Sequence, residues 1–305
     1  MEHKAKYKTK TETKYISNYI YIIGKDSTIS ATNNISNITP TTLTKFIFVG
    51  TGHIFKKSVE DIKKAVKKEH PTIVAVELDE DRYKYLLEKT KNKKVARHFN
   101  LSVIGLLNWL FASLQKSLSF DLEPGVDMLT AIQQAKQHNL PLKLIDRHIY
   151  ITMNHFISIP WREKLNLFFP KKIAVPKIDS NILNNSSQLE EIITLLKKEA
   201  PYMYRAFVEE RDFFIAFRLF QIFQQNPTNQ KVLVVLGAGH LSGVKSYFNQ
   251  LCAHQLTEQN IYKKMSDATE IQKPGILSIL SLIPLFMVLL ALLVLVKFKL
   301  FKIKQ

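Results

Sequence analysis

Two histidines each stand three residues beyond a glycine at the end of an apolar run: Gly50-Thr51-Gly52-His53 after KFIFV, and Gly237-Ala238-Gly239-His240 after KVLVVL. Glycine lets a chain leave a buried strand abruptly and lets a ligand approach the backbone. An imidazole placed there sits at a helix N-terminus, whose positive dipole end disfavours protonation and so suits metal ligation or neutral-form chemistry. Ionisable residues end two further apolar runs. Glu77 and Asp79 close TIVAVELD, with Arg82 one turn on, and Asp146-Arg147 close PLKLID. Two imidazoles with one or more carboxylates form a ligand set for a divalent cation.

Each feature alone has a plainer reading. One corner is a tight βα turn, Asp146-Arg147 is an ion pair, and Glu209-Glu210-Arg211-Asp212 is a solvated helix face. Neither corner carries the G-x-G-x-x-G or Gly-Lys-Ser/Thr pattern of a phosphate loop. His3, His70, His98, His138 and His254 sit in polar contexts and read as surface.

The elements that must position these residues alternate. KFIFVG reads as a strand buried on both faces, and KSVEDIKKAVKKEH as a helix with Val59, Ile62 and Val66 on one side and a capping box at Ser58 and Asp61. PTIVAVELD is a second strand, EDRYKYLLEKTK a second helix, PLKLID a third strand and KVLVVL a fourth. This order predicts an α/β fold with a mainly parallel sheet flanked by helices. Ligands then bind beyond the carboxyl ends of the strands, where all the residues above would surround one cleft. Residues 99–115 read as a buried helix, and the long helical stretch after residue 186 should break near Pro201.

The chain has 305 residues, 46% hydrophobic and 23% charged, which suits a folded domain with a sizeable core. Its single cysteine, Cys252, excludes an internal disulfide framework and a thiolate-cluster zinc site, and fits a reducing compartment. The net charge of +17 comes from lysines scattered along the chain. With no arginine-rich stripe, it does not point to nucleic acid.

Residues 1–44 read as a polar N-terminal extension without a secretory leader, 45–258 as the α/β domain and 259–275 as a linker. Residues 276–296 carry no charge. At about 1.5 Å per residue such a run covers about 31 Å, close to the hydrocarbon thickness of about 30 Å, and predicts one C-terminal transmembrane helix. Lys297, Lys299, Lys302 and Lys304 make the tail 297–305 basic. The positive-inside count leans weakly toward a cytoplasmic tail, but long domains obey it poorly. A single-pass anchor with a cytoplasmic globular domain is therefore expected.

Several ordered blocks, VGTGHIFKKSVEDIKKAVKKEHPTIVAVELDEDRYKYL, LIDRHIYIT, VEERD and VLVVLGAGHLSGV, resemble the TraB/PrgY pheromone-shutdown family over about residues 46–250. LLNWLFASLQKSL resembles a further archaeal stretch. That family is grouped with the Tiki metalloproteases, GumN proteins and the ChaN/erythromycin-esterase-like superfamily. The resemblance implies a divalent-metal hydrolase (Mn, Co or Zn), with His53, His240 and Glu77 as metal ligands. The family's Asp-Arg and Glu-Arg pairs fall on Asp146-Arg147 and Glu210-Arg211. On that reading Glu210 serves as general base, and Arg147 and Arg211 orient a substrate carboxylate or stabilise an oxyanion. Gly50, Thr51, Gly52, Arg82, Asp146, Gly237 and Gly239 would shape the site or bind substrate. His148 and His155 stand where the family has an acidic residue and an arginine. The implied function is a membrane-anchored peptidase acting on a signal-type peptide; the alternative is a non-catalytic protein that sequesters a peptide or scaffolds a partner at the membrane.

Overall fold

The computed structural model describes residues 19–23, 28–33, 44–51, 56–91, 125–166, 186–225, 230–284 and 287. The helix expected over 99–115, the corner residues Gly52 and His53, and the tail 297–305 lie outside these residues.

Six strands form one sheet: β1 (Tyr19–Ile23), β2 (Thr28–Asn33), β3 (Thr44–Thr51), β4 (Ile73–Val76), β5 (Leu142–Leu144) and β6 (Lys231–Gly237), in the order β1-β2-β3-β6-β4-β5. β3, β6, β4 and β5 run parallel, as the alternating pattern predicts, while β1 and β2 add an antiparallel edge. Within the segment expected as an extension, residues 19–23 and 28–33 therefore belong to the sheet. β1 is the apolar run YIYII, and β2 is the polar run TISATN, whose pairing on both sides rests on backbone groups that any non-proline residue supplies. The decisive feature is β6, last in the chain, which inserts between β3 and β4. It brings the two glycine corners side by side, with Thr51 opposite Gly237.

β4 and β6 are buried on both faces, which explains why their sequences are continuous apolar runs rather than alternating ones. On one face Val74, Val76, Leu233 and Val235 meet Ile62 and Val66 of α1 (Lys56–Glu69) and Met128, Ala131 and Ile132 of α3 (Val126–Gln137). On the other, Ala75, Val232, Val234 and Leu236 meet Phe213, Phe217 and Phe220 of α8 (Glu210–Gln225) and Val244 and Phe248 of α9 (Leu241–Cys252). Each fully buried aliphatic or aromatic side chain contributes about 1.5–3 kcal/mol. α1 begins at Lys56, ahead of the expected capping box, with its apolar stripe where the spacing put it. α2 (Glu80–Lys91) follows β4.

The carboxyl side of the sheet carries α4 (Ile149–Ser158), α5 (Trp161–Asn166), α6 (Ser186–Glu199) and α7 (Pro201–Tyr204). The break near Pro201 is borne out. Proline opens α7, where its missing N–H costs nothing, and the Glu163 carboxylate accepts from Met203 N–H at 2.8 Å and Tyr202 N–H at 3.2 Å. A π-helical turn, Arg205–Glu209, then leads into α8. Such turns add a residue to the helical repeat and recur at functional sites.

Residues 259–275 are not a linker. Most of them form α10 (Glu258–Thr269), whose Ile261, Met265 and Ala268 pack on the core beside α8. The charge-free run begins as α11 (Ile276–Leu280). No helix among the described residues is long and apolar enough to cross a membrane.

Candidate functional site

Arg211, the second residue of α8, is the hub of the carboxyl edge of the sheet. Its Nη2 bonds the Glu77 Oε1 beyond β4 and reaches Asp146 Oδ2 beyond β5 at 2.5 Å, while Nε lies 3.2 Å from the same oxygen. Nη1 lies 3.0 Å from His240 Nε2 and 3.3 Å from the Phe207 carbonyl. A guanidinium only donates, so His240 Nε2 accepts and its proton is on Nδ1. Nδ1 in turn donates to Asp212 Oδ1 at 2.6 Å. The second carboxylate oxygen of Glu77 accepts the Gly237 N–H at 2.6 Å, tying the end of β4 to the second glycine corner.

Burial opposes ionisation of Asp146, but the guanidinium groups of Arg211 and Arg82 overcome it and hold its carboxyl well below the usual range. Burial likewise works against the charge on Arg211, and Asp146 and Glu77 more than restore it. Arg82 donates from Nε to Asp79 at 2.7 Å and from Nη2 to Asp146 at 2.7 Å. Burial pushes the Asp212 carboxyl up to about 6, against the opposing pull of His240.

Two glycines allow this packing. A Cβ on Gly243 would stand 1.9 Å from Asp212 Oδ2, and one on Gly50 would stand 2.3 Å from Leu241 Cδ1 at the start of α9. Gly239 is different: the nearest atom to its Cβ position, on Ile193, is 3.9 Å away. Thr51 closes the first corner by donating its hydroxyl to the Leu236 carbonyl at 3.3 Å.

His240 Nε2 and Glu77 Oε1 are 3.5 Å apart, and the two terminal nitrogens of Arg211 lie against them, Nη1 at the imidazole and Nη2 at the carboxylate. The cation found there is the Arg211 guanidinium, so the pair has the chemistry to hold a positive ion, and the Asp212 contact is the support a metal-ligating imidazole requires. Among the described residues no third His, Cys, Asp or Glu joins them in metal-holding geometry. His53, expected as that partner, lies outside the described residues.

The model of the TraB/PrgY/gumN family matches residues 35–258, across both corners and every strand of the parallel sheet. The chain belongs to the TraB/PrgY/gumN family. It is similar to an uncharacterised protein of Methanocaldococcus jannaschii, 33% identical over 67% of this chain and 53% of that protein. It is also similar to a human TraB domain-containing protein, 23% identical over 65% of this chain and 61% of that protein. The chain thus spans little more than half the length of these relatives.

Within this TraB/PrgY/gumN domain, Glu77, Arg82, Asp146, Arg211, Gly237 and His240 gather as expected, but Glu210 and Arg147 do not join them. Glu210 Oε2 accepts from Arg147 Nη1 at 2.9 Å and faces His155 Nδ1 at 2.6 Å, and Oε1 faces Arg205 Nε at 3.1 Å. Burial opposes its ionisation, yet His155 and Arg147 hold its carboxyl low. Held by Arg147, His155 and Arg205, this carboxylate is a weaker base than a free one. Arg147 is buried and bonds Thr152 Oγ1 and the carbonyls of Ala206 and Ala268, at 2.9, 2.5 and 2.7 Å, so it is a structural cation rather than a substrate contact. Asp212, read as part of a solvated face, is the residue of the candidate site that sequence reasoning missed. Gly243, three residues beyond His240, is the only signal for it, and it is legible only once α8 and α9 are known to touch.

Proposed function

We propose that this chain is a membrane-anchored, metal-dependent hydrolase of peptide bonds, with its site at the carboxyl edge of the sheet. The observation that carries this reading is the 3.5 Å proximity of His240 Nε2 and Glu77 Oε1, with Asp212 behind the imidazole. His240, Glu77 and His53 would hold a divalent ion, which supplies an activated water and polarises a carbonyl. Asp212 holds the proton on His240 Nδ1 and so keeps Nε2 an acceptor, which now takes a hydrogen bond from Arg211. Arg211, aligned by Asp146, has donors to offer a substrate carboxylate or a developing oxyanion in exchange for its present contacts. The run 276–296 is the anchor, and a single, buried cysteine, Cys252, is in keeping with a globular part on the reducing, cytoplasmic side.

The test is metal content and cleavage of a peptide library by the full chain purified in detergent. His240→Ala and His53→Ala should each abolish cleavage and lower bound Mn²⁺, Co²⁺ or Zn²⁺. Unchanged metal content and cleavage in both variants would overturn this metal centre, and no cleavage by the unaltered chain would leave a sequestering or scaffolding role in place of catalysis.

A further inference from the structure

The approach to the apolar C-terminal run is strapped to the globular domain. Arg147 Nη1 donates to the Ala268 carbonyl at 2.7 Å, and His155 Nε2 lies 2.7 Å from the Glu270 carbonyl. Asn154 bonds Gln272 in both directions, Nδ2 to the carbonyl at 3.0 Å and Oδ1 from the N–H at 2.7 Å. Lys164 Nζ donates to the Ser278 carbonyl at 2.6 Å and to that of Ile157 at 2.6 Å. All four clasping side chains belong to buried residues. A backbone gripped at this many points does not behave as a flexible stalk.

Beyond the strap, the polarity of the chain is inverted. Ser278 and Ser281 are buried against the domain, with Leu282 in the cluster of Phe156, Ile157 and Ile159. Turned outward instead are Ile276, Leu277, Leu280 and Ile283, exposed by 77%, 60%, 52% and 61%. A helix at a water-facing surface does the reverse, burying its aliphatic side chains and exposing serine. Such a contiguous apolar face marks an interaction surface. Its continuation favours a bilayer as the occupant. The run stays free of charge to Val296 and is followed by Lys297, Lys299, Lys302 and Lys304. α5, which supplies Lys164, opens with a half-exposed Trp161 whose ring lies 5.5 Å from the Arg162 guanidinium, a combination suited to the headgroup region.

We propose that the outward face of residues 276–283 seats the globular domain directly on the lipid bilayer, so that the domain is held against the membrane in one orientation rather than tethered above it. This rests on the anchor reading of 276–296. α4 carries the consequence to the candidate site. Its first N–H, from Ile149, donates at 3.0 Å to the Asp79 carboxylate that also holds Arg82, so the helix that clasps the strap also touches the site. The site is thereby kept at a fixed height, and its substrate class is peptide lying at the membrane surface.

The full chain, reconstituted in vesicles of phosphatidylcholine and phosphatidylglycerol, tests this. Nitroxide labels are placed through Leu277→Cys, Leu280→Cys and Ile283→Cys, with Lys64→Cys on the exposed side of α1 as reference. At the first three sites, collisions with oxygen should exceed those with a water-soluble nickel chelate several-fold relative to Lys64→Cys. If the chelate reaches those sites as freely as it reaches the reference while alkaline carbonate leaves the chain in the membrane, the seat is wrong and the anchor stands. If carbonate releases the chain, the anchor reading falls and the seat with it. Labels shielded from both reagents would mean that a second protein surface covers this face, which also overturns the proposal.

Discussion

Asp212 Oδ1 lies 2.6 Å from His240 Nδ1, and that contact leaves Nε2 as the acceptor nitrogen on the side of Arg211 and Glu77. The two residues are 28 positions apart, on α8 and at the second glycine corner. Gly243 makes the approach possible, because any side chain there would collide with the same carboxylate.

Asp212→Asn should weaken the hold on the imidazole without emptying the space. Loss of such a supporting carboxylate lowers metal affinity by about 10- to 100-fold. Calorimetric titration with Mn²⁺ or Zn²⁺ reads the affinity, and ¹⁵N shifts of the His240 ring read the tautomer. Unchanged values in both would remove Asp212 from the site.

Gly243→Ala should destabilise the fold by about 1–3 kcal/mol, as overpacking does when backbone and carboxylate must both shift. Gly239→Ala, where the added methyl has room, should stay within about 0.5 kcal/mol. Urea denaturation of the two variants side by side makes the comparison.

Asp146 predicts a pH dependence with a definite sign. Its carboxyl in the folded chain lies well below the unfolded value of 3.8, so the folded state binds fewer protons than the unfolded one as pH falls below that value. Its stabilisation is complete above about pH 5 and fades through the acid limb below about pH 4. Asp146→Asn should cost about 3–5 kcal/mol at neutral pH, since Arg211 and Arg82 both lose their shared partner. It should also flatten the acid limb. An acid limb of wild-type steepness would refute the assignment.

Arg147→Ala should be among the most damaging substitutions in the domain, about 3–5 kcal/mol, because it leaves Glu210 buried with one cation fewer and frees two carbonyls. Lys64→Ala, which breaks an exposed pair with Glu60 at 3.4 Å, should give no measurable change. Thermal denaturation distinguishes a structural Arg147 from a catalytic one, since a substrate contact could be removed with little loss of stability.

Much of the architecture is legible in local sequence because its causes are local. TIVAV and KVLVVL are continuous apolar runs with no alternation, and only strands covered on both faces require that. The glycine corners mark the carboxyl ends of β3 and β6, and Pro201 marks a helix start. β2 was harder to read because a polar strand differs little from a polar loop in composition, and α10 because a charged helix with one buried side resembles a linker.

By itself the sequence determined a parallel α/β domain, two imidazole-bearing turns, a strand-end glutamate and an uncharged C-terminal run, since each follows from neighbouring residues. Only the tertiary structure decided that β6 lies between β3 and β4, which makes the two corners adjacent although nearly two hundred residues separate them. It alone assigned Arg211 and Asp212 to Glu77 and His240, and the preceding Glu210 to Arg147 and His155. Successive helical residues point about 100° apart, so what each one meets depends on which elements pack around the helix, and no local pattern records that.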